Sequence, residues 1–146
     1  MYSSTTPESQ MEALLRRLAS LRLMRPPQDC ELSPPMVGIL FWVLQSPGCG
    51  VLDLAEGLKV TPPTVSVGVM RLVKDGWLES RRDPEDRRAK PLYLTEKSET
   101  LLEQLRMYQR EAFKIFLSGL IPAEQEMFIS LFDKALSAIE EALDGS

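Results

Sequence analysis

The fifteen residues from Arg81 to Thr95, RRDPEDRRAKPLYLT, limit the possible folds more than any other stretch of the chain. Four arginines and a lysine surround an acidic, proline-bearing tip, Asp83-Pro84-Glu85-Asp86. A short apolar strand pattern lies on each side, Trp77-Leu78 before it and Leu92-Tyr93-Leu94 after it. That is the pattern of a β-hairpin with a charged tip. Immediately upstream, Val51 to Gly76 reads as two short helices joined by a tight turn. Val51, Leu54, Ala55 and Leu58 face inward on the first, with the small Ala55 near the crossing. Thr61 is placed to cap the second, with Pro62 at its first position. Val65, Val69, Leu72 and Val73 supply its inward face, and Gly76 stops it. A helix-turn-helix followed by a basic hairpin is a winged helix-turn-helix. A helix for the major groove with a basic hairpin beside it points to double-stranded DNA as the partner.

The rest of the chain is helical by the same criteria. Glu8 to Met24 places Met11, Leu14, Leu15, Leu18, Leu21 and Leu23 mostly at helical spacing, with an arginine-rich polar face of Arg16, Arg17, Arg22 and Arg25. Arg25-Pro26-Pro27 is expected to end that helix, because a proline disfavours helix in the residue before it. Ser33 is a good N-cap with Pro34 behind it, and the helix from Pro34 to Gln45 is apolar on nearly every side. Such a helix is expected to be buried all round, at the centre of the domain. Thr95 caps a long helix with Glu96 and Glu99 at its positive end. Gly119 to Pro122 is a break, and a last helix carries Phe128, Leu131, Phe132, Ala135, Leu136, Ile139 and Leu143 on one face. The terminal helices carry more apolar surface than one small core can cover, so a second copy is expected to cover it. The fold class is mainly α with a small β wing (α+β), a winged helix-turn-helix with N- and C-terminal dimerisation helices. It reads as a single domain over residues 1–146, with a DNA-binding lobe at 34–95 and dimerisation helices at 8–25 and 96–144.

Composition narrows the function. Histidine is absent, which removes the commonest zinc ligand and the commonest general base. No nucleophile–base pair, phosphate-cradling glycine loop or metal cluster stands out. The expectation is a non-enzyme with no catalytic residue, no cofactor and no metal. No apolar run approaches the ~18 residues of a membrane span, and MYSSTTPESQ lacks the features of a signal peptide, so a cytoplasmic location with no membrane partner is expected. Two cysteines, Cys30 and Cys49, are too few for a disulfide scaffold. The net charge of −4 is uneven. Between Thr61 and Lys90 seven cations against five anions leave about +2, whereas from Glu96 onward acidic residues outnumber basic ones about two to one. Local charge density is what phosphate binding requires, and a +2 segment needs two copies to bind tightly.

Several of these residues resemble a known family. Val51-x-x-Leu54-Ala55-x-x-Leu58-x-Val60-x-Pro62-x-Thr64-Val65-Ser66, Arg71-Leu72-x-x-x-Gly76, Arg82-Asp83-Pro84-x-Asp86-Arg87-Arg88 and Leu94-Thr95-x-Lys97 together are similar to the MarR family of winged helix-turn-helix regulators. The resemblance implies an obligate homodimer built from the first and last two helices, palindromic operators, and release by a small aromatic ligand or by oxidation. It also implies that Asp86 braces the wing through an arginine. The chain departs from the pattern at Lys59, Val67, Gly68, Pro91 and Ser98.

The expected DNA-binding residues follow. On the second helix of the helix-turn-helix, Pro63, Thr64, Ser66, Val67, Met70, Arg71 and Lys74 point away from the inward face. The Thr64 and Ser66 hydroxyls suit base edges or phosphates, Pro63 and Val67 a thymine methyl, and Arg71 and Lys74 phosphates. In the wing, Arg81, Arg82, Arg87 and Arg88 are the cations, and either Arg87 or Arg88 would enter an A·T-rich minor groove. A dimer would set two such helices in successive major grooves about 34 Å apart. The resemblance places any small aromatic or anionic effector between the central helix, the first helix and the long helix after the wing. Arg16 or Arg17 would pair its charge there, with Met36 and Trp42 as lining, although a cluster such as Met36, Phe41 and Trp42 is more often core than pocket. Cys30 stands near Arg25 but also near Asp29 and Glu31, which disfavour a thiolate, so neither cysteine reads as a redox sensor. The function expected is a DNA-binding transcriptional repressor released by a ligand or other signal. The alternative is a winged-helix protein-interaction module, which Val67 and Gly68 favour and the wing arginines oppose.

Overall fold

A computed structural model describes residues 6–23, 26–81, 85 and 90–145. Six helices and a two-stranded antiparallel sheet lie within them: α1 (Pro7–Ser20), α2 (Pro34–Gln45), α3 (Val51–Leu58), α4 (Pro62–Lys74), β1 (Leu78–Ser80), β2 (Leu92–Leu94), α5 (Glu96–Leu117) and α6 (Pro122–Asp144). This is the mainly α winged helix-turn-helix expected from the periodicities. The chain divides into two compact units, Met1–Tyr108 and Gln109–Ser146.

In the first unit the core is built on α2. Val37, Ile39, Leu40 and Val43 are buried there against Leu54 and Ala55 of α3, Val65, Val69 and Leu72 of α4, and Trp77, Leu78 and Leu92 of the hairpin. Leu102 of α5 and Cys49 complete it. Two glycines in helix interiors have packing reasons. A Cβ on Gly68 would stand 3.1 Å from Ile39 Cδ1, and one on Gly57 would stand 2.1 Å from the Trp42 ring. These positions let α4 and α3 approach α2 more closely than alanine would permit. Gly68 therefore costs helix propensity, about 1 kcal/mol, while gaining proximity to the central helix.

Both helices of the helix-turn-helix end in a Schellman closure. Gly76, at φ 80°, ends α4, with the N–H of Gly76 on the Val73 carbonyl and the N–H of Trp77 on the Leu72 carbonyl. Lys59 holds the equivalent place after α3 at φ 54°, and the Val60 N–H reaches the Ala55 carbonyl at 3.0 Å. A left-handed lysine costs energy that glycine would not. The hairpin pairs Leu78 with Leu94, Glu79 with Tyr93 and Ser80 with Leu92. On its other side Leu92 exchanges backbone bonds with the loop after α2. Its N–H donates to Cys49 O at 3.0 Å, and its carbonyl accepts from Gly48 N at 2.8 Å. Pro91 stands just before β2, opposite Arg81; its carbonyl accepts the Arg81 N–H at 3.0 Å, but it has no N–H to return to the Arg81 carbonyl, so the ladder stops there, at the end of the strand where a proline is tolerated.

Five local expectations need correction. α1 ends at Ser20, before the prolines, because Arg22 turns left-handed at φ 54°. Ser33 and Thr61 occupy N-cap positions with extended backbone, but neither makes a side-chain cap bond, and the Thr61 hydroxyl instead meets that of Thr64 at 2.8 Å. Thr95 does cap α5, accepting from Ser98 N at 3.4 Å. Val73 is exposed, because it lies on the edge of the stripe defined by Val65, Val69 and Leu72. α2 is not buried all round: Leu44 is exposed at its end, and Phe41 and Trp42 are half-buried. Trp77 precedes β1 instead of starting it.

The second unit holds the end of α5 and all of α6. Phe116, Phe128 and Phe132 form a ladder with ring centroids 5.9 and 6.0 Å apart. The Gln125 amide spans the break, donating to the carbonyls of Leu117 and Leu120. Leu131, Phe132, Leu136, Ile139 and Leu143 of α6 stay exposed, as do Met11, Leu14 and Leu15 of α1.

Candidate nucleic-acid interface

The outward face of α4 is set by what its inward face buries. With Val65, Val69 and Leu72 packed on α2, the residues left outside are Pro63, Thr64, Val67, Met70, Arg71 and Lys74, with Ser66 half-buried at the margin. Val67 and Met70 are each 69% exposed. Pro62 and Pro63 carry no N–H and the Val65 N–H bonds to the Thr61 carbonyl at 3.1 Å, which leaves Thr64 alone in the first turn to offer a backbone N–H to a phosphate. Arg71 and Lys74 carry positive charge in the last turn.

The hairpin base lies against the end of α4. Arg81 is exposed, its guanidinium 4.1 Å above the Tyr93 ring and its Nη2 3.6 Å from Glu79. Stacking on Tyr93 orients the guanidinium, and a pair this long and exposed holds it only loosely. Lys90 is exposed on the returning side. Arg82, Asp86, Arg87 and Arg88, expected to form the wing tip and its brace, lie outside the described residues.

A set of contacts that the sequence reading did not single out ties α4 to α5. The Lys97 ammonium rests 4.0 Å from the Trp77 ring centroid and donates to the Asp75 carbonyl at 3.1 Å. The Thr95 hydroxyl donates to the Gly76 carbonyl at 2.6 Å. The buried Ser98 hydroxyl donates to the carbonyl of Trp77. Residues 75–77, the exit of α4, are therefore held by three side chains from the start of α5. Serine at position 98 has a use that glycine could not serve, and the only local sign of it was the departure itself. Trp77, buried at 5% exposure, is a core residue of this junction.

Beside the junction lies an open cleft of about 540 Å³. Met36, Leu72 and Trp77 are among its apolar lining, and Arg71, Lys97, Glu31 and Asp75 are its charged lining. Two cations against two carboxylates give it no net preference for an anion. Of the four expected effector residues, only Met36 lines it. Trp42 packs its ring on Gly57, Arg16 pairs with Glu12 on the surface of α1, and Arg17 is exposed. Cys49 is buried, and its thiol is pushed above the ordinary range by burial and by the Asp53 carboxylate. No single helix among the described residues is long and apolar enough to cross a membrane.

Comparison with known proteins agrees with this geometry. The sequence model of the MarR family matches residues 32–90, from the approach to α2 to just before β2. The HTH-type transcriptional regulator BilQ of Clostridium symbiosum is 30% identical over 101 residues, covering 67% of this chain and 70% of BilQ. Among solved structures, FabT of Streptococcus pneumoniae in complex with DNA superposes with a TM-score of 0.72 at 18% identity, over 94% of both chains. PcaV of Streptomyces coelicolor, in complex with its natural ligand, gives 0.60 at 24% identity, over 95% of this chain and 97% of PcaV.

Proposed function

The chain belongs to the MarR family of transcriptional regulators, and on that premise we propose that it acts as a homodimeric repressor. It binds a palindromic operator and leaves it when a small ligand or another signal arrives. The observation that carries this reading is the placement of α4. Its polar and apolar outward residues are free of the core, its last turn is basic, and a hairpin with Arg81 and Lys90 at its base follows directly. Pro63, Thr64, Ser66 and Val67 meet bases or nearby phosphates, and Arg71 and Lys74 meet phosphates. Arg82 and either Arg87 or Arg88 continue the contact from the wing into the minor groove, with Asp86 bracing it.

The dimer is supported by the exposed apolar stripes of α1 and α6. Pairing them with a second copy sets two α4 helices on half-sites about 34 Å apart. FabT was solved with DNA and PcaV with a natural ligand, which supports both kinds of partner. For an aromatic or anionic effector, Arg16 or Arg17 would supply the charge, with Met36 and Trp42 as the apolar lining. Binding, with no catalysis, is the whole activity.

Selection from fragmented genomic DNA tests the reading. Recovery of a palindromic site bound by a dimer, with binding lost when Arg87 and Arg88 are both changed to alanine, is the expected result. A folded dimer that enriches no sequence would instead favour a protein-interaction module, for which exposed Val67 and Met70 would be the docking surface.

A further inference from the structure

We propose that the α4 helix reads its operator chiefly through the 5-methyl groups of thymine, using Val67 and Met70 as the specificity-determining residues. This rests on the DNA-binding reading above and goes beyond it in naming how bases are told apart.

α4 offers few groups that could read bases by hydrogen bonding. From Pro62 to Met70 the helix is PPTVSVGVM, without a single arginine, lysine, asparagine, glutamine or carboxylate. Those are the side chains that read guanine, adenine or cytosine by hydrogen bonds to base edges. Two hydroxyls remain, and neither is fully available. Thr64 Oγ1 lies 2.8 Å from Thr61 Oγ1, and Ser66 is half-buried. What the helix does present is apolar. Pro63, Val67 and Met70 are all exposed, at i, i+4 and i+7, which places them in one line along the outward face. The line spans seven residues at 1.5 Å each, about 10 Å, or roughly three base pairs. Polar groups bound it, with the helix N-terminus before it and Arg71 and Lys74 after it. Such a stripe in a major groove can distinguish one feature, the thymine methyl group. The cations then hold the duplex without selecting among bases. The operator half-site should accordingly hold thymines, on either strand, within about three consecutive base pairs.

Synthetic DNA tests this with the full-length protein. Each thymine of the selected operator is replaced in turn by deoxyuridine, which removes only the methyl group, and affinity is followed by fluorescence anisotropy. Burying one methyl group corresponds to about four-fold in affinity, so replacing a symmetric pair in both half-sites should weaken binding about sixteen-fold. In Val67→Ala or Met70→Ala protein, the sensitive position should fall below about two-fold, because the side chain that met the methyl is gone. Both residues are exposed, so the variants should fold, which circular dichroism checks. Tight, salt-sensitive binding to the operator with no deoxyuridine-sensitive position would overturn the methyl inference and leave the DNA-binding reading intact. An equal loss in native and Val67→Ala, Met70→Ala protein would overturn it too, since the effect would then lie in duplex stiffness. Absence of sequence-specific binding would remove the DNA reading and this inference with it.

Discussion

The close approach of α3 to α2 can be measured through Gly57. Alanine ordinarily stabilises a helix position relative to glycine by about 1 kcal/mol. Here the added Cβ would lie 2.1 Å from both Cζ2 and Cη2 of Trp42. Carbon atoms in contact prefer about 3.5 Å or more, so the ring would have to move by roughly 1.4 Å. Overpacking of this kind costs about 1–3 kcal/mol, and a displacement this large belongs near the upper end. Gly57→Ala should therefore lose about 2 kcal/mol net, the strain less the propensity gain. Trp42→Leu removes the ring, and in that background the same Gly57→Ala change should be neutral or stabilising by up to about 1 kcal/mol. The cycle gives a coupling of about 3 kcal/mol between the two positions. Urea unfolding followed by circular dichroism reads it, at one fixed protein concentration because dimerisation contributes to apparent stability. A Gly57→Ala effect of the same size and sign with and without the indole would refute the packing argument. It would also release Trp42 from a structural role.

Three further outcomes follow from single sites. Lys59→Gly should raise stability by about 0.5–1 kcal/mol, because φ 54° strains lysine and not glycine; thermal melts at matched concentration check it. Ser98→Ala should cost about 1 kcal/mol or more, because it removes the buried donor to the Trp77 carbonyl; the same melts should show it, with Ser98→Thr no substitute in so tight a site. Cys49 should react with a thiol reagent more slowly than half-buried Cys30 in the folded protein, and faster only as pH rises above the ordinary thiol range, since burial and Asp53 favour the neutral form. Mass spectrometry after timed alkylation would show which cysteine is modified first.

Much of the DNA-binding lobe was legible because its signals are local. Pro34 and Pro62 begin helices, Gly76 ends one, and the period of Val65, Val69 and Leu72 assigns the faces of α4 without tertiary information. The candidate contact surface followed, since outward residues are those the period leaves over. What escaped was set by distant partners. The bonds from Gly48 and Cys49 to Leu92 join segments some forty residues apart, as the register of the chain shows, and no local motif announces them. The same holds for the Ser98 and Lys97 contacts to residues 75–77. Thr61 has the residue type and backbone of a cap, yet its hydroxyl turned to Thr64, a choice of rotamer that composition does not encode. Gly57 and Gly68 did carry a signal, because glycine inside a helix often marks a close approach. Its meaning needed the neighbouring helix in place.

The salt dependence of operator binding separates a regulator that grips phosphates from a winged helix that meets only protein. Anisotropy would be measured on the selected operator at several salt concentrations, for native protein and for protein with Arg87 and Arg88 both changed to alanine. A sequence-specific DNA reader predicts a linear fall of log affinity with log salt, and a slope shallower by about 1 for every phosphate contact the double variant loses. A folded, dimeric native protein whose binding is absent or insensitive to salt would contradict the account.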